Sequence, residues 1–507
     1  MINFQKFIAA AHIIRYVHFM LETFRNRYGL LVTLIGMAVG TGNIWRFPRV
    51  MAQNGGGAFL IPWAIFLLLW SIPLLIIEFS LGKKLRFGVA GCFQKMSDGR
   101  LTWLGGFVVF CTLGIMFYYS VVTGWCVYYT FSAVTGALVH AEPQALWEQF
   151  TQKSFGPLIF HILVIGFTAL VISRGIQAGI EKVNRVMIPS LWVILLFFVG
   201  YAMTLIGRKE GVGFIFHFDL SRLTSYKVWL EALTQSAWST GAGWGLALTY
   251  ACYARQKDNP VSTTMITGIS NNTVEIMAVL VILPTLFTFF PLEEVLKLTE
   301  EGNTGLSFIA LPGLFQKMPA GRLLAILFFV ALFFAAFTSL IAMFELGVSF
   351  FHDLGFKRHR AIGIVSLTAI LVGTPSAINM NFFDNQDWVW GVGLLVSGLF
   401  FTLLVRRIGG RRFAEEFVGL SSALSQKVFI FLAYWLIPLE FLALLAWWFY
   451  QAVQWDPSGW WHPLKTFSIG TCLMQWGILL LLLGWWNRRI NVRISNPKTS
   501  VPPPEII

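Results

Sequence analysis

The chain contains 507 residues, of which 56% are hydrophobic and only 12% are charged. A single soluble core cannot bury so large an apolar surface, so the composition predicts an integral membrane protein. The net charge of +13 does not indicate nucleic-acid binding, because no finger or RNA-binding motif accompanies it. Lysine and arginine instead collect in the tails and in alternate loops, which predicts contact with membrane lipids at the inner surface.

Twelve apolar segments are long enough to span a bilayer, which requires about 20 residues each. They cover 29–50, 58–81, 104–136, 157–174, 187–207, 229–254, 262–290, 320–351, 361–379, 388–405, 428–450 and 466–486. The positive-inside rule places both termini in the cytoplasm, as an N-terminal tail (1–26) and a C-terminal tail (488–507). The N-terminal tail carries His, Lys and Arg and no small-residue cleavage site follows it, so we expect no secretory signal.

Two glycine-rich breaks interrupt these segments at matching places. GMAVGTGNIWRFP (36–48) lies in predicted helix 1, and STGAGWG (239–245) lies in predicted helix 6. Glycine is a poor helix former, and backbone groups left unpaired in hydrocarbon are costly unless they bind something. The breaks therefore predict a transporter for ions and a small charged solute. The spacing predicts an inverted repeat of helices 1–5 (27–207) and helices 6–10 (228–406), with helices 11 and 12 (427–487) outside it.

The first break offers partial charges of both signs. Unwinding Met37 to Gly42 frees carbonyls at the end of one half-helix and amides at the start of the next. Carbonyl oxygens suit Na⁺, which is a hard cation, and amides suit a carboxylate. In predicted helix 7, Glu275 is a further candidate, because an acid within a membrane span is costly enough to indicate a function. A neutral Glu275 that is merely hydrogen-bonded is the alternative.

A long segment then carries a family resemblance. GLLVTLIGMAVGTGNIWRFPRVMAQNGGGAFLIPW (29–63) closely resembles the first-helix signature of the neurotransmitter:sodium symporter family and its bacterial amino-acid carriers. EFSLGKK (78–84), the Tyr118–Tyr119 pair, FFAAFTSLIAMFE (333–345) and DNQD (384–387) continue the resemblance, which covers residues 22–405. It implies an all-helical, twelve-span fold with a five-plus-five inverted repeat.

The resemblance implies two sodium sites. One consists of the carbonyls of Gly36, Val39 and Ala335 with the hydroxyls of Thr338 and Ser339. The other consists of the Ala38 carbonyl with Asn43, Ser239 and Asn271. For the two hydroxyls of helix 8, hydrogen bonds back to their own helix are the alternative. Asn271 is chosen over Asn272 because it places Glu275 one turn later on the same helix face.

The family also suggests a role for Glu275. Animal members use a chloride ion where bacterial members place a carboxylate, so the resemblance implies that Glu275, beside Gln235 and Ser239, supplies this charge. We therefore expect no chloride requirement. Trp63 stands where the family has a tyrosine in this cluster and removes its hydroxyl.

Gly40 indicates the substrate class, because monoamine carriers of the family have an aspartate there and amino-acid carriers have a glycine. The resemblance implies a substrate carboxylate on the amides of Thr41 and Gly42 and the hydroxyl of Tyr119, close to Ser339. The amino group then binds carbonyls near Ala38, Trp238 and Ser239, and the side-chain pocket consists of Ile115, Trp238, Gly241, Trp244 and Met343. This apolar lining favours a neutral, hydrophobic amino acid. Ordinary packing is the alternative for Tyr119.

Gates can be assigned from the same resemblance. Arg46 and Asp387 match the outer ion pair with Trp238 as a lid, and Tyr253 and Asp353 match inner positions. The arginine that completes the inner gate in the family aligns with Leu21, and the neighbouring tryptophan aligns with Phe24. Arg25 or Arg15 would have to replace that arginine, unless both are lipid anchors.

We therefore expect a sodium-coupled symporter that imports a neutral, hydrophobic amino acid by alternating access across the inner membrane of a bacterium. An enzyme is not expected, because the eight histidines are scattered and form no metal-binding or nucleophile motif. A membrane sensor that binds the amino acid with little transport, or an ion channel, is the alternative. No repeated filter segment supports a channel. A homodimer is compatible with the sequence.

Overall fold

The computed structural model describes residues 22–300 and 302–495, and all regular structure in these ranges is helical. Leu21 and Arg15 lie outside the described residues, as does most of each predicted tail. We number the spans α1 to α12 in chain order. They are Arg27–Ala38 (α1a), Thr41–Gln53 (α1b), Gly56–Leu85 (α2), Thr102–Thr135 (α3), Gly156–Ser173 (α4), Ile176–Ala202 (α5), Tyr226–Ser239 (α6a), Leu246–Ala251 (α6b), Pro260–Phe289 (α7), Gly321–Asp353 (α8), Arg358–Ile378 (α9), Met380–Ile408 (α10), Ala423–Trp455 (α11) and Ile469–Ile494 (α12).

Ten helices in the described part are long and apolar enough to cross a membrane, and the α1 pair, bent by 51°, adds an eleventh. The remaining predicted span is α6. Its two halves, of 14 and 6 residues, are each too short to cross a membrane alone. α5 begins at Ile176 rather than at the predicted residue 187. Its first turns carry Glu181, Lys182 and Arg185, which lower the local hydropathy although the backbone stays helical.

Shorter helices connect the spans. They are Val89–Ser97, Ala137–His140, Pro143–Gln152, Arg208–Ile215, Leu220–Thr224, Leu292–Glu300, Gly302–Gly305, Leu306–Phe315, Gly410–Arg412 and Phe413–Val418.

Both helix breaks form where the sequence predicts them. In α1, Val39 and Gly40 adopt extended backbone between the two halves. In α6, Gly241, Gly243 and Gly245 have φ angles of 69°, 89° and 81°, a left-handed conformation that glycine adopts without steric cost. Four unbroken spans, α2 to α5, lie between the two breaks. The repeats α1–α5 and α6–α10 therefore each begin with a broken helix and contain five spans, an odd number that gives them opposite directions across the membrane.

The broken helices lie against the buried centre of the molecule. α3 and α8 pack on each other and are among the most enclosed spans, with 83% and 72% of their apolar windows buried. α4, α5 and α12 are only 39%, 28% and 28% buried, and their free apolar faces suit contact with lipid. α11 packs on α10, and α12 packs on α3. The α1 break contacts α3 through Tyr119 and α8 through Ser339.

Candidate functional site

Backbone carbonyls at the end of α1a converge on one hydroxyl of α8. Ser339 Oγ lies 3.3 Å from the carbonyl oxygens of Gly36 and Met37 and 3.2 Å from that of Val39. A hydroxyl has a single proton, so it can satisfy only one of the three acceptors fully. Because the site is buried, the other carbonyls favour a second positive partner. This set of oxygen ligands fits a sodium ion, and it includes the predicted carbonyls of Gly36 and Val39.

Thr338 and Ala335 lie beside this cluster on α8. The Thr338 hydroxyl donates within its own helix, 2.9 Å from the Phe334 carbonyl and 3.2 Å from the Ala335 carbonyl. Such back-bonding is the alternative to ion binding that the sequence leaves open. The oxygen keeps its acceptor lone pairs in this geometry, so the same rotamer remains compatible with a cation.

The residues of the second predicted sodium site also meet. The side-chain amides of Asn43 and Asn271 lie 2.9 Å apart, and the Asn271 amide lies 2.6 Å from Ser239 Oγ. A terminal atom of the Asn271 amide is 3.2 Å from the Ala38 carbonyl oxygen. The Asn43 oxygen also accepts from the Gly40 amide at 2.8 Å. Asn43 of α1b, Ser239 of α6a and Asn271 of α7 therefore bring their polar side chains together next to the α1 break.

Glu275 lies one turn beyond Asn271 on α7 and is fully buried. Gln235 Nε2 donates to one carboxylate oxygen at 2.5 Å, and Trp63 Nε1 donates to the other at 2.7 Å. The indole N–H of Trp63 thus supplies a hydrogen bond although the tyrosine hydroxyl of the family is missing. Both oxygens have donors, so the geometry suits an ionised carboxylate near the predicted sodium site.

Tyr119 on α3 contacts the start of α1b. Its hydroxyl oxygen lies 3.1 Å from the Thr41 backbone nitrogen and 3.3 Å from the Thr41 hydroxyl. A Cβ atom placed on Gly40 would lie 3.0 Å from Tyr119 Oη and 3.4 Å from Ser339 Oγ. The missing side chain of Gly40 therefore keeps open the space between Tyr119 and the carbonyl cluster. Gly42 has open space at the corresponding position.

The predicted pocket residues flank this space. Ile115 lies one turn before Tyr119 on α3, and Met343 lies one turn after Ser339 on α8, so each shares a helix face with a polar site residue. Both are buried, as is Trp244. A Cβ atom on Gly241 would have its nearest neighbours at 3.9 Å, among them Met37. The α6 break therefore leaves room beside α1.

Comparison with known proteins identifies the family. The sequence profile of the sodium:neurotransmitter symporter family matches residues 21–154 and 149–488. The chain belongs to this family. An uncharacterized sodium-dependent transporter of Methanocaldococcus jannaschii is 32% identical over 368 residues, which are 69% of this chain and 73% of the relative. A second, YhdH of Bacillus subtilis, is 31% identical over 391 residues, 74% of this chain and 84% of the relative.

A solved structure supports the same conclusion. The crystal structure of MhsT in complex with L-phenylalanine has a TM-score of 0.75 and 28% identity, and the match covers 84% of this chain and 99% of that one. The predicted family and all-helical fold are thereby confirmed. The family and the relatives are named as sodium-dependent transporters, so the chain is a sodium-dependent membrane transporter and not an enzyme.

On the predicted outer side of the symporter, Arg46 contacts an aromatic ring, whereas the sequence predicts an ion pair with Asp387. Its guanidinium lies over the Trp238 ring, 5.0 Å from the centroid, a cation–π contact. Trp238 in turn packs against Gly391 of α10, where a Cβ atom would overlap the indole. Within the described residues, Arg46 does not form the predicted ion pair with Asp387 to within 4.0 Å. The cation faces the aromatic lid instead.

On the predicted inner side of the symporter, a cation is present at an unpredicted position. Glu345 on α8 accepts from Tyr253 Oη at 2.9 Å and forms a two-armed ion pair with Arg358 at 2.7 and 2.6 Å. Phe24 N donates to the Tyr253 carbonyl at 3.0 Å. Asp353, the other residue predicted for the inner gate, lies instead against the backbone at 88–91.

Neither predicted substitute for the inner arginine fills this position. The Arg25 side chain is exposed, and its backbone N–H donates to Glu181. Arg15 lies outside the described residues. Among the residues that the structure describes, the cation paired with Glu345 is Arg358, at the start of α9.

Sequence reasoning missed the buried acids Glu78 and Glu345 of the symporter. Glu78 on α2 accepts from the backbone N–H of Gly243 at 2.6 Å and lies 3.4 Å from the N–H of Leu248, so it satisfies donors freed by the α6 break. Glu345 holds the inner network. The rule that singled out Glu275, that an acid in a span indicates a function, applies equally to both and identifies them from sequence.

Proposed function

We propose that this transporter couples the entry of sodium to the import of a neutral, hydrophobic amino acid by alternating access. The observation that carries the proposal is the juxtaposition around Gly40. Ser339, on which the carbonyl cluster converges, and the hydroxyl of Tyr119 both lie against this glycine. A cation and a carboxylate bound at these two places would attract each other, which links binding of the ion to binding of the solute.

The substrate class is supported by Gly40 and by the apolar residues beside it. The carboxylate would bind at Tyr119 and the amides that open α1b, where the helix dipole favours an anion. The side chain would lie among Ile115, Met343 and the tryptophans of α6. The structural neighbour MhsT was crystallised with L-phenylalanine, which is an amino acid of this class.

Two sodium ions are proposed, one at each oxygen cluster. The first would be held by the carbonyls of Gly36, Val39 and Ala335 with Thr338 and Ser339. The second would be held by Ala38, Asn43, Ser239 and Asn271. Glu275 would supply the negative charge beside the second ion, so chloride is not required. The two donors to its oxygens support the ionised form.

The proposed location is the inner membrane of a bacterium, with both termini in the cytoplasm. Support comes from charge. Arginines cluster at the ends of α10 and α12, including Arg406, Arg407, Arg488 and Arg489, and the cytoplasmic side of a membrane is the side where such clusters accumulate. Outer loops contain acids instead, such as Glu142 and Glu293.

Uptake into proteoliposomes tests the proposal. Purified protein is reconstituted, and each of the natural amino acids is offered in labelled form under an inward sodium gradient or a potassium gradient of the same size. We expect sodium-dependent accumulation of neutral, hydrophobic amino acids. Binding without accumulation would instead establish a sensor, and sodium flux without a substrate requirement would establish a channel. Accumulation of decarboxylated amines in preference to amino acids would refute the substrate class.

A further inference from the structure

Asn184 on α5 is a fully buried polar residue that the proposed binding sites do not use. Its side-chain nitrogen donates to the Ile180 carbonyl of the same helix at 2.9 Å. This bond fixes the orientation of the amide, so the oxygen points away from α5. Within the described residues, this oxygen has no hydrogen-bond partner. A buried acceptor without a partner is rare in native proteins and requires an explanation.

The Asn184 oxygen points at Gly36 of α1a. A Cβ atom at Gly36 would collide with this oxygen and would lie 3.1 Å from Thr338 Cβ, so the amide oxygen and the α8 residue meet the same face of the glycine. The Gly36 carbonyl is one of the three that converge on Ser339. The free oxygen of Asn184 is therefore next to the proposed α8 sodium site without being part of its ligand set.

The neighbouring carboxylate on α5, that of Glu181, is already engaged by other groups. Glu181, one turn before Asn184, accepts from the Arg25 backbone N–H at 2.9 Å and pairs with Arg185 at 2.6 Å. A rise of about 4.5 Å separates the two positions along the helix. Glu181 is already paired with a cation, so it would not trap a passing sodium ion. The helix begins at Ile176, directly after Gly175, whose φ is 82°.

We infer that the Asn184 oxygen is a transfer ligand for sodium, which binds the ion after it leaves the α1 carbonyls and before it reaches the start of α5. The inference rests on the proposed function, including its orientation. Sodium is a hard cation that prefers oxygen ligands, and it exchanges them readily with water. An unpartnered amide oxygen at this position offers such a ligand on the cytoplasmic side of the site.

Two transport modes separate this role from simple packing. Net uptake into sodium-free vesicles requires sodium to be released inside at every cycle. Exchange of labelled for unlabelled substrate, with saturating sodium on both sides, does not require that release. The probe is a labelled mixture of neutral, hydrophobic amino acids, and the full-length protein is used in proteoliposomes.

The variant Asn184→Leu keeps the size of the side chain and removes the oxygen. Net uptake is expected to fall at least ~10-fold, which corresponds to about 1.4 kcal/mol on the barrier, while exchange stays within about threefold of the wild type. Asn184→Ser restores an oxygen and is expected to recover net uptake. Thr33→Val is the control, since Thr33 is buried on α1a and bonds only within its own helix.

Normal net uptake by Asn184→Leu, an equal loss of both transport modes, or no recovery with Asn184→Ser would overturn the role of Asn184. Should Asn184→Leu fail to fold, Asn184→Ala carries the same expectation and the same refutation. Wild-type protein without sodium-driven uptake would overturn the proposed function and this inference together. An active wild type with an unaffected leucine variant would overturn this inference alone.

Discussion

Gly40 gives the sharpest test of where the substrate carboxylate binds. A side chain at this position would enter the space between Tyr119 Oη and Ser339 Oγ, which lie 3.0 and 3.4 Å from the site of its Cβ. In Gly40→Asp, the new carboxylate would therefore reach the place that we assign to the carboxylate of the substrate. In Gly40→Asn, a side chain of the same size would enter without the charge.

The magnitude follows from Coulomb's law. Two unit charges about 4 Å apart interact by about 4 kcal/mol at an effective dielectric constant of about 20. Such an energy corresponds to roughly three powers of ten in affinity. The proposed sodium ion would offset part of this repulsion. We therefore expect Gly40→Asp to bind amino acids at least ~100-fold more weakly than the wild type and at least ~10-fold more weakly than Gly40→Asn.

Equilibrium binding in detergent measures this difference. Labelled amino acid is titrated at saturating sodium against wild type and both variants, and each protein is checked for a monodisperse elution profile. The decarboxylated amine of the same side chain is titrated in parallel, and Gly40→Asp should favour it relative to the amino acid. If Asp and Asn weaken amino-acid binding equally, steric exclusion explains the loss and the placement of the carboxylate is wrong.

Three further predictions concern the ion sites and the inner gate. Replacing Thr338 and Ser339 together by Ala should abolish sodium-stimulated amino-acid binding while the protein stays folded, and unchanged sodium dependence would refute the α8 site. Wild-type uptake should not change when chloride is replaced by gluconate, and Glu275→Gln should acquire stimulation by chloride; strong chloride dependence of the wild type would contradict the role of Glu275. Arg358→Leu should lower stability in thermal unfolding by ~3–5 kcal/mol, because it leaves Glu345 buried and unpaired. Adding Glu345→Leu should restore most of that loss, and a double variant as unstable as the single one would show that packing of Arg358 is the cause.

The two helix breaks were predictable because their cause is local. Gly241, Gly243 and Gly245 adopt backbone conformations that other residues avoid, so the chemistry of the break is encoded in the residues that form it. The clusters at Asn43 and Ser339 were not predictable from spacing. Their members come from spans hundreds of residues apart, and only the family signature related them.

The choice of hydrogen-bond partners was the least predictable feature. The family resemblance places Trp63 in the Glu275 cluster, where it implies the loss of a tyrosine hydroxyl. The indole N–H nevertheless donates to the same carboxylate at 2.7 Å. Arg46 similarly lies over the ring of Trp238, and no nitrogen–oxygen distance to Asp387 within 4.0 Å is found in the described residues. Each of these depends on side-chain direction and on a few Å of helix displacement, which residue type and periodicity do not determine.

The inner gate shows how such a network can keep its chemistry while changing its parts. The family arginine aligns with Leu21, so the sequence predicts a weakened closure. The Glu345 carboxylate nevertheless binds both Arg358 and Tyr253, and the Tyr253 carbonyl binds the backbone of Phe24. The N-terminal segment is thereby attached through its backbone, which needs no particular side chain. A guanidinium from α9 supplies the positive charge at Glu345, so we expect closure of this side to depend on α8 and α9 keeping their register.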